Sequence, residues 1–136
     1  SVDRLKVAER LSAQRPHARG PLEVLVQVNI SGEATKSGVA PDAAVALARV
    51  IAGLPRLAFR GFMGIAAPTA DVATQRAQFA ALARCRDEAR AAGLAADVLS
   101  MGMSDDMDAA IAEGATEVRI GTAIFGARTP GSGPAA

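Results

Sequence analysis

The sequence predicts an α/β fold in which about four parallel strands alternate with helices. Apolar residues switch repeatedly between helical spacing and short β-branched runs. The first of these runs, 24–30, reads as apolar on both faces, as a strand buried from both sides does. The last two runs each break at the C-terminal end into a glycine-containing turn that opens a helix, LSMGMSDDM at 99–107 and VRIGTAIFG at 118–126. Two consecutive strand ends of this kind would set main-chain N–H groups side by side above a parallel sheet. The first N–H groups of a helix lack internal partners, and an anion such as phosphate can satisfy them.

The elements follow in order. Leu5, Ala8 and Leu11 recur at helical spacing in an amphipathic opening helix that stops by Pro16. Residues 24–30 (VLVQVNI) form the first strand, and residues 31–38 a polar loop. Pro41 is placed to open the next helix, which carries Ala44, Leu47, Ile51 and Leu54 on one face and ends near Gly53 and Pro55. Residues 57–65 form the second strand. A long helix at 71–92 places Phe79, Leu82, Cys85 and Ala89 at spacings of three and four, and Gly93 ends it. Residues 97–101 are the third strand, 105–113 a helix and 117–120 the fourth strand, followed by a last helical turn. The tail at 129–136 holds only Thr, Pro, Gly, Ser and Ala, and is expected to be disordered.

Composition bounds the function. With 136 residues there is room for one domain and one sizeable core. A net charge of +1 with mixed signs is not a nucleic-acid footprint, and four Phe with no Tyr or Trp make no base-stacking platform. The one cysteine, Cys85, excludes an internal disulfide framework and fits a reducing, cytoplasmic setting. The longest apolar run, 43–54, is cut by Arg49, so no membrane segment is expected. His17 stands alone in a Pro/Gly/Arg-rich loop, which offers neither a metal site nor a triad. Cys85 reads as a small core residue, and the Asp105–Asp106 pair as helix-start acids.

Four βα units are too few for a closed eight-stranded barrel, which needs about 250 residues. The chain also lacks the first-turn Gly-x-Gly-x-x-Gly of a dinucleotide domain. Length alone leaves half a barrel or a small open sheet. The segments VLVQVNISGEATKSG (24–38), FRGFMGI (59–65), DVLSMGMSDDM (97–107) and AAIAEGATEVRIGTAIFGAR (109–128), with the opening SVDRL, resemble the pyridoxal phosphate homeostasis proteins of the YggS/PROSC type. The resemblance spans residues 1–128. It implies an alanine-racemase-type (β/α)8 barrel, a TIM barrel, of which this chain is the second half. It also implies a monomer that binds pyridoxal 5′-phosphate without enzyme activity and serves vitamin B6 and amino-acid balance. Family members carry the covalent lysine on an early strand. The two lysines here, Lys6 and Lys36, lie on the opening helix and in the loop after the first strand, so the resemblance carries over phosphate-side contacts only. The chain does not begin with Met, a hint that something has been removed in front of it.

The residues expected to touch the cofactor are Arg119, Gly121, Thr122, Ser104, Ser100 and Met101. Gly121 and Thr122 form either a phosphate seat or a tight turn that needs positive φ at Gly121; the resemblance favours the seat. Arg119 points to the same face as Gly121 by strand alternation, to meet the cofactor or a barrel carboxylate. Ser104 either caps its own helix or reaches a phosphate from the side, with Ser100 beside it. Asp105 and Asp106 would repel a phosphate over their helix, which moves the anion toward Gly121 and Thr122. Met101 and Met103 serve as core filler more often than as ligand contacts. Asn29 faces the barrel mouth or bonds its own loop. Two other functions compete: a fragment of an amino-acid racemase, which needs a base on each face of the substrate carbon and finds no Tyr here, and a half-barrel that binds phosphate but not pyridoxal. An isolated half is expected to self-associate or to pack loosely, because Val24, Val26, Val28, Phe62, Ile65, Leu99, Val118 and Ile120 include residues that the missing strands would cover.

Overall fold

The computed structural model describes residues 1–126; the tail expected at 129–136 lies outside them. The elements run α1 (Leu5–Gln14), β1 (Leu22–Val28), α2 (Pro41–Ala52), β2 (Leu57–Gly64), α3 (Val72–Ala91), β3 (Val98–Ser100), α4 (Met107–Ala112) and α5 (Thr122–Phe125). The sheet has the order β1-β2-β3, and both pairings are parallel. That is the alternating α/β order read from the periodicity.

The fourth strand is where the structure departs from expectation. Residues 117–120 form no strand; a single parallel bridge joins Ser100 to Glu117. Gly102 leaves the extended region with φ 96°, so β3 offers only three residues to pair with. The Thr116 side chain takes over part of the ladder: its Oγ1 accepts the Leu99 N–H at 2.8 Å. Beyond the bridge, Met101 N–H donates to Glu117 O at 3.0 Å and Arg119 N–H to Gly102 O at 2.9 Å. The segment therefore runs beside β3 without becoming regular. Val2 and Val39 make similar bridges to Val26 and Val28 on the outer edge of β1.

The sheet buries one face. Along β1, Val24, Val26 and Val28 are buried while Leu25 and Gln27 are only half-buried, so the strand is not apolar and buried on both sides as expected. The core lies between the buried face and the helices, with Phe62, Phe79, Ile51, Leu82 and Leu99 fully buried. Of the residues thought to await the missing strands, Val24, Val26, Val28, Phe62 and Leu99 are thus already covered. Ile65 and Val118 are exposed, at 45% and 37%, and Ile120 is half-buried. Period-two alternation explains the reversal, since β-branched residues fill the helix-facing positions and Leu25, Gln27 and Met63 the other.

A register shift in the β1–β2 ladder resets the phase of β2: Val24 pairs Phe59, but Leu25 pairs Gly61. Both Phe59 and Phe62 are buried as a result, their rings meeting edge-on at 5.4 Å and 73°. Gly61 sits at this shift with φ 149°, where a Cβ would lie 2.0 Å from the Val98 carbonyl oxygen. At the opposite end of the sheet, Arg56 takes a positive φ of 63° and donates from Nε to Ser12 O at 2.8 Å, closing the C-terminal turn of α1.

Cys85 is buried on α3, and burial pushes its thiol up from 9.0 to about 11, with Glu88 adding to the shift. It should therefore react with disulfide reagents at pH 8 only as fast as the chain opens. The folded state holds this proton above pH 9.0 while the unfolded thiol releases it. Stability should consequently fall as the pH rises from 9.0 toward about 11, and Cys85→Ala should flatten that part of the profile of denaturation midpoint against pH.

Candidate functional site

The loops after β1, β2 and β3 and the start of α5 meet at the C-terminal ends of the strands, the end at which parallel α/β sheets present their ligand sites. After β3 the chain turns sharply at Gly102, where a Cβ would lie 2.6 Å from the Cβ of Ala110. Only glycine lets α4 pack this closely on the turn. Asp106, not Ser104, is the N-cap of α4, and its Oδ1 accepts the Met103 N–H at 2.6 Å. The helix therefore starts at Met107, later than the expected 105, and its first-turn acid is Asp108.

Ser104 does something else. Its Oγ accepts the Ala123 N–H at 3.2 Å, tying the turn after β3 to the first turn of α5. The end of β3 and the irregular segment that leads into α5 lie side by side, as the two motifs suggested, although only the first is a strand end. Among the described residues the Thr122 N–H has no partner. Gly121 has φ −120° and not the positive φ of a strained turn, and a Cβ there would meet nothing within 4 Å. Neither backbone nor packing requires a glycine at 121, so the space above it is open. With four residues, α5 is too short for a helix dipole to matter; any anion here is held by individual donors.

A cleft of about 640 Å³ opens beside this junction, and Lys36, Thr69, Gln75, Ser104, Asp106 and Thr122 are among its lining residues. A smaller cavity of about 250 Å³ adjoins it across Lys36 and Ile65. Lys36 lies 3.9 Å from Glu33 in an exposed pair, too weak and too wet to hold the ammonium away from a ligand. In the sequence Lys36 is a loop lysine of open role, and Thr69 and Gln75 carry no expectation as site residues. The signal available was positional, since the first two lie in loops that directly follow strands.

The six expected residues separate into three groups. Ser104 and Thr122 line the cleft, with Gly121 next to them in the chain. Ser100 and Arg119 form a second pair: Arg119 donates to Ser100 Oγ at 2.7 Å and to the Gly64 carbonyl at 3.0 Å. Among the described residues Arg119 makes no ion pair, so the anticipated carboxylate partner is not found; burial lowers its pKa, opposed by Asp106 and Glu117. Met101 belongs to neither group. It is fully buried in the core, because alternation along the strand turns it away from the face that carries Ser100. Asn29 serves its own loop, donating to Glu33 O at 2.8 Å and accepting from Ser31 Oγ at 3.0 Å.

Residues 1–129 match the family model for the N-terminal domain of alanine racemase. The chain belongs to this family. A pyridoxal phosphate homeostasis protein of Pseudomonas aeruginosa is 58% identical over 132 residues, which cover 97% of this chain and 56% of the relative. Among solved structures, a protein from Bifidobacterium adolescentis has a TM-score of 0.86 at 41% identity, covering 92% of this chain and 51% of that one. PipY of Synechococcus elongatus PCC7942, with pyridoxal phosphate bound, has a TM-score of 0.75 at 33% identity, covering 93% and 59%. The family fold is thus an alanine-racemase-like α/β architecture with parallel strands, and the resemblance to pyridoxal phosphate homeostasis proteins holds across the chain. The chain spans just over half the length of the curated relatives it matches. No helix among the described residues is long and apolar enough to cross a membrane.

Proposed function

We propose that the chain is the phosphate-holding part of a pyridoxal 5′-phosphate-binding protein that serves intracellular, cytoplasmic vitamin B6 and amino-acid balance and catalyses no reaction of its own. The observation that carries this reading is the junction of Ser104 with Ala123, which leaves the Thr122 N–H unpartnered and the space over Gly121 open at the edge of the cleft. A phosphate there would meet the Thr122 N–H and the Ser104 and Thr122 hydroxyls, with the Lys36 ammonium supplying charge. Asp105 and Asp106 on the same cleft keep the anion toward α5. Arg119, fixed by Ser100 and Gly64, faces the cofactor body from the sheet; Met101 takes no part through its side chain.

Within the alanine racemase N-terminal domain, residues 1–128 are read as the second half of a (β/α)8 barrel. The half-exposed face of β1 and the fraction of each relative that the chain spans support part of a barrel, and the choice of the second half rests on the motif resemblance alone. The names of the relatives support binding over racemisation. The reading needs no nucleic acid, membrane or second chain.

Bound pyridoxal phosphate supplies an aldehyde that amines can capture reversibly; this chain's part is to hold the phosphate without a stable covalent link. Titration with pyridoxal phosphate followed by absorbance, then borohydride reduction and peptide mapping, tests both statements. Saturable binding with no stoichiometric lysine adduct is expected. Absence of binding would refute the reading as a whole, and a single stoichiometric adduct at Lys36 would refute its non-covalent part.

A further inference from the structure

The segment between β2 and α3 contributes Ala66, Pro68, Thr69 and Ala70 to the cleft lining, and two glutamines of α3 hold this wall. Gln78 Oε1 accepts the Ala67 N–H at 2.7 Å, and Gln75 Nε2 donates to the Thr69 carbonyl at 2.8 Å. Gln75 is only 8% exposed, and the cleft is the opening it lines. Its amide is therefore split. The nitrogen end is pinned to the wall, while Oε1 has no donor among the described residues. No fully buried side-chain polar atom lacks a partner among those residues, so Oε1 is not sealed in the core and reaches accessible space. An accessible carbonyl oxygen held in one orientation by its own amide nitrogen, on a residue nine-tenths buried that lines a cleft, is a preorganised acceptor.

We propose that Gln75 is a specificity-determining contact of the cleft, whose Oε1 accepts a hydrogen bond from a donor on the ring of a phosphate-bearing ligand. This rests on the phosphate-site reading above and extends it from the anion to the body of the ligand. The Thr122 N–H, the two hydroxyls and the Lys36 ammonium recognise phosphate but do not distinguish one phosphate ester from another, and Asp105 and Asp106 beside them keep the anion toward α5. An acceptor on the wall built by α3 can make that distinction. A site built to receive a donor disfavours an analogue that lacks it, because the acceptor is then desolvated without compensation. In pyridoxal phosphate the available ring donors are the hydroxyl and the protonated ring nitrogen.

The test measures dissociation constants of the 136-residue chain for inorganic phosphate, pyridoxal phosphate, its 3-deoxy analogue and an analogue with CH in place of the ring nitrogen. Gln75→Leu should weaken pyridoxal phosphate by about tenfold, the scale of one lost hydrogen bond to a desolvated group, and leave inorganic phosphate unchanged. Against one of the two analogues Gln75→Leu should have no effect, since that analogue lacks the donor. Gln78→Leu loosens the same wall but keeps the acceptor, so it should preserve the wild-type preference for pyridoxal phosphate over that analogue. Equal weakening of all three ring ligands by Gln75→Leu, or no weakening of any, would overturn the proposal while leaving the phosphate site intact. If the wild-type chain binds neither phosphate nor its esters, the phosphate-site reading fails and this inference fails with it.

Discussion

Gly61→Ala is expected to destabilise the domain severely. The Cβ would lie 2.0 Å from the Val98 carbonyl oxygen and 2.8 Å from its carbon, and both are backbone atoms of the neighbouring strand that no rotamer change can move. The residue also sits at φ 149°, a conformation that L side chains rarely adopt. Relief would require β2 and β3 to separate at Gly61–Val98, the first of the three pairs that join them. The loss should be about 4 kcal/mol or more, a large fraction of the ~5–15 kcal/mol that stabilises an ordinary domain. A chemical-denaturation curve and amide-region circular dichroism would read it directly. A variant with a wild-type midpoint would mean that the strands tolerate a wider spacing at the shift.

Gly121→Val should have the opposite profile, a lost function on an intact fold. Nothing lies within 4 Å of the position a Cβ would take, and φ −120° is open to any residue. The melting temperature should move little. Phosphate would then have to share its seat with the valine methyls, and forcing bulk into an occupied site costs roughly 1–3 kcal/mol, about a tenfold to hundredfold loss of affinity. Calorimetric titration with inorganic phosphate and with pyridoxal phosphate gives the comparison. Undiminished affinity for both would show that the turn is only a connection between Ile120 and α5.

Much of this architecture was legible because its causes are local. The 3.6-residue spacing of Phe79, Leu82, Cys85 and Ala89 defines α3, and it buries those side chains together with Gln75. The paired glycine turns foretold two adjacent turns, which the Ser104–Ala123 hydrogen bond joins, but only the first of them follows a strand. The misreadings come from properties that adjacent residues do not encode. Whether 117–120 becomes a strand depends on how many residues β3 can offer before Gly102 turns away. Which face of β1 meets the helices depends on packing, and so the valines thought to await a missing half are already covered. Met101 was drawn into the site by its motif and into the core by alternation, and alternation decided. Lys36 and Gln75 share the cleft although the chain separates them by a strand and a helix, a proximity that no local pattern announces.

The central claim is that the anion sits against the Thr122 N–H. Amide NMR of this 13.8 kDa chain during titration with inorganic phosphate, then with pyridoxal phosphate, tests it most directly. The Thr122 and Ala123 amide resonances should move in a saturable way with both ligands, Thr122 the further downfield, while the α1 amides stay in place. Saturable binding of pyridoxal phosphate with the Thr122 and Ala123 resonances unmoved would contradict the account, because the cofactor would then be held elsewhere.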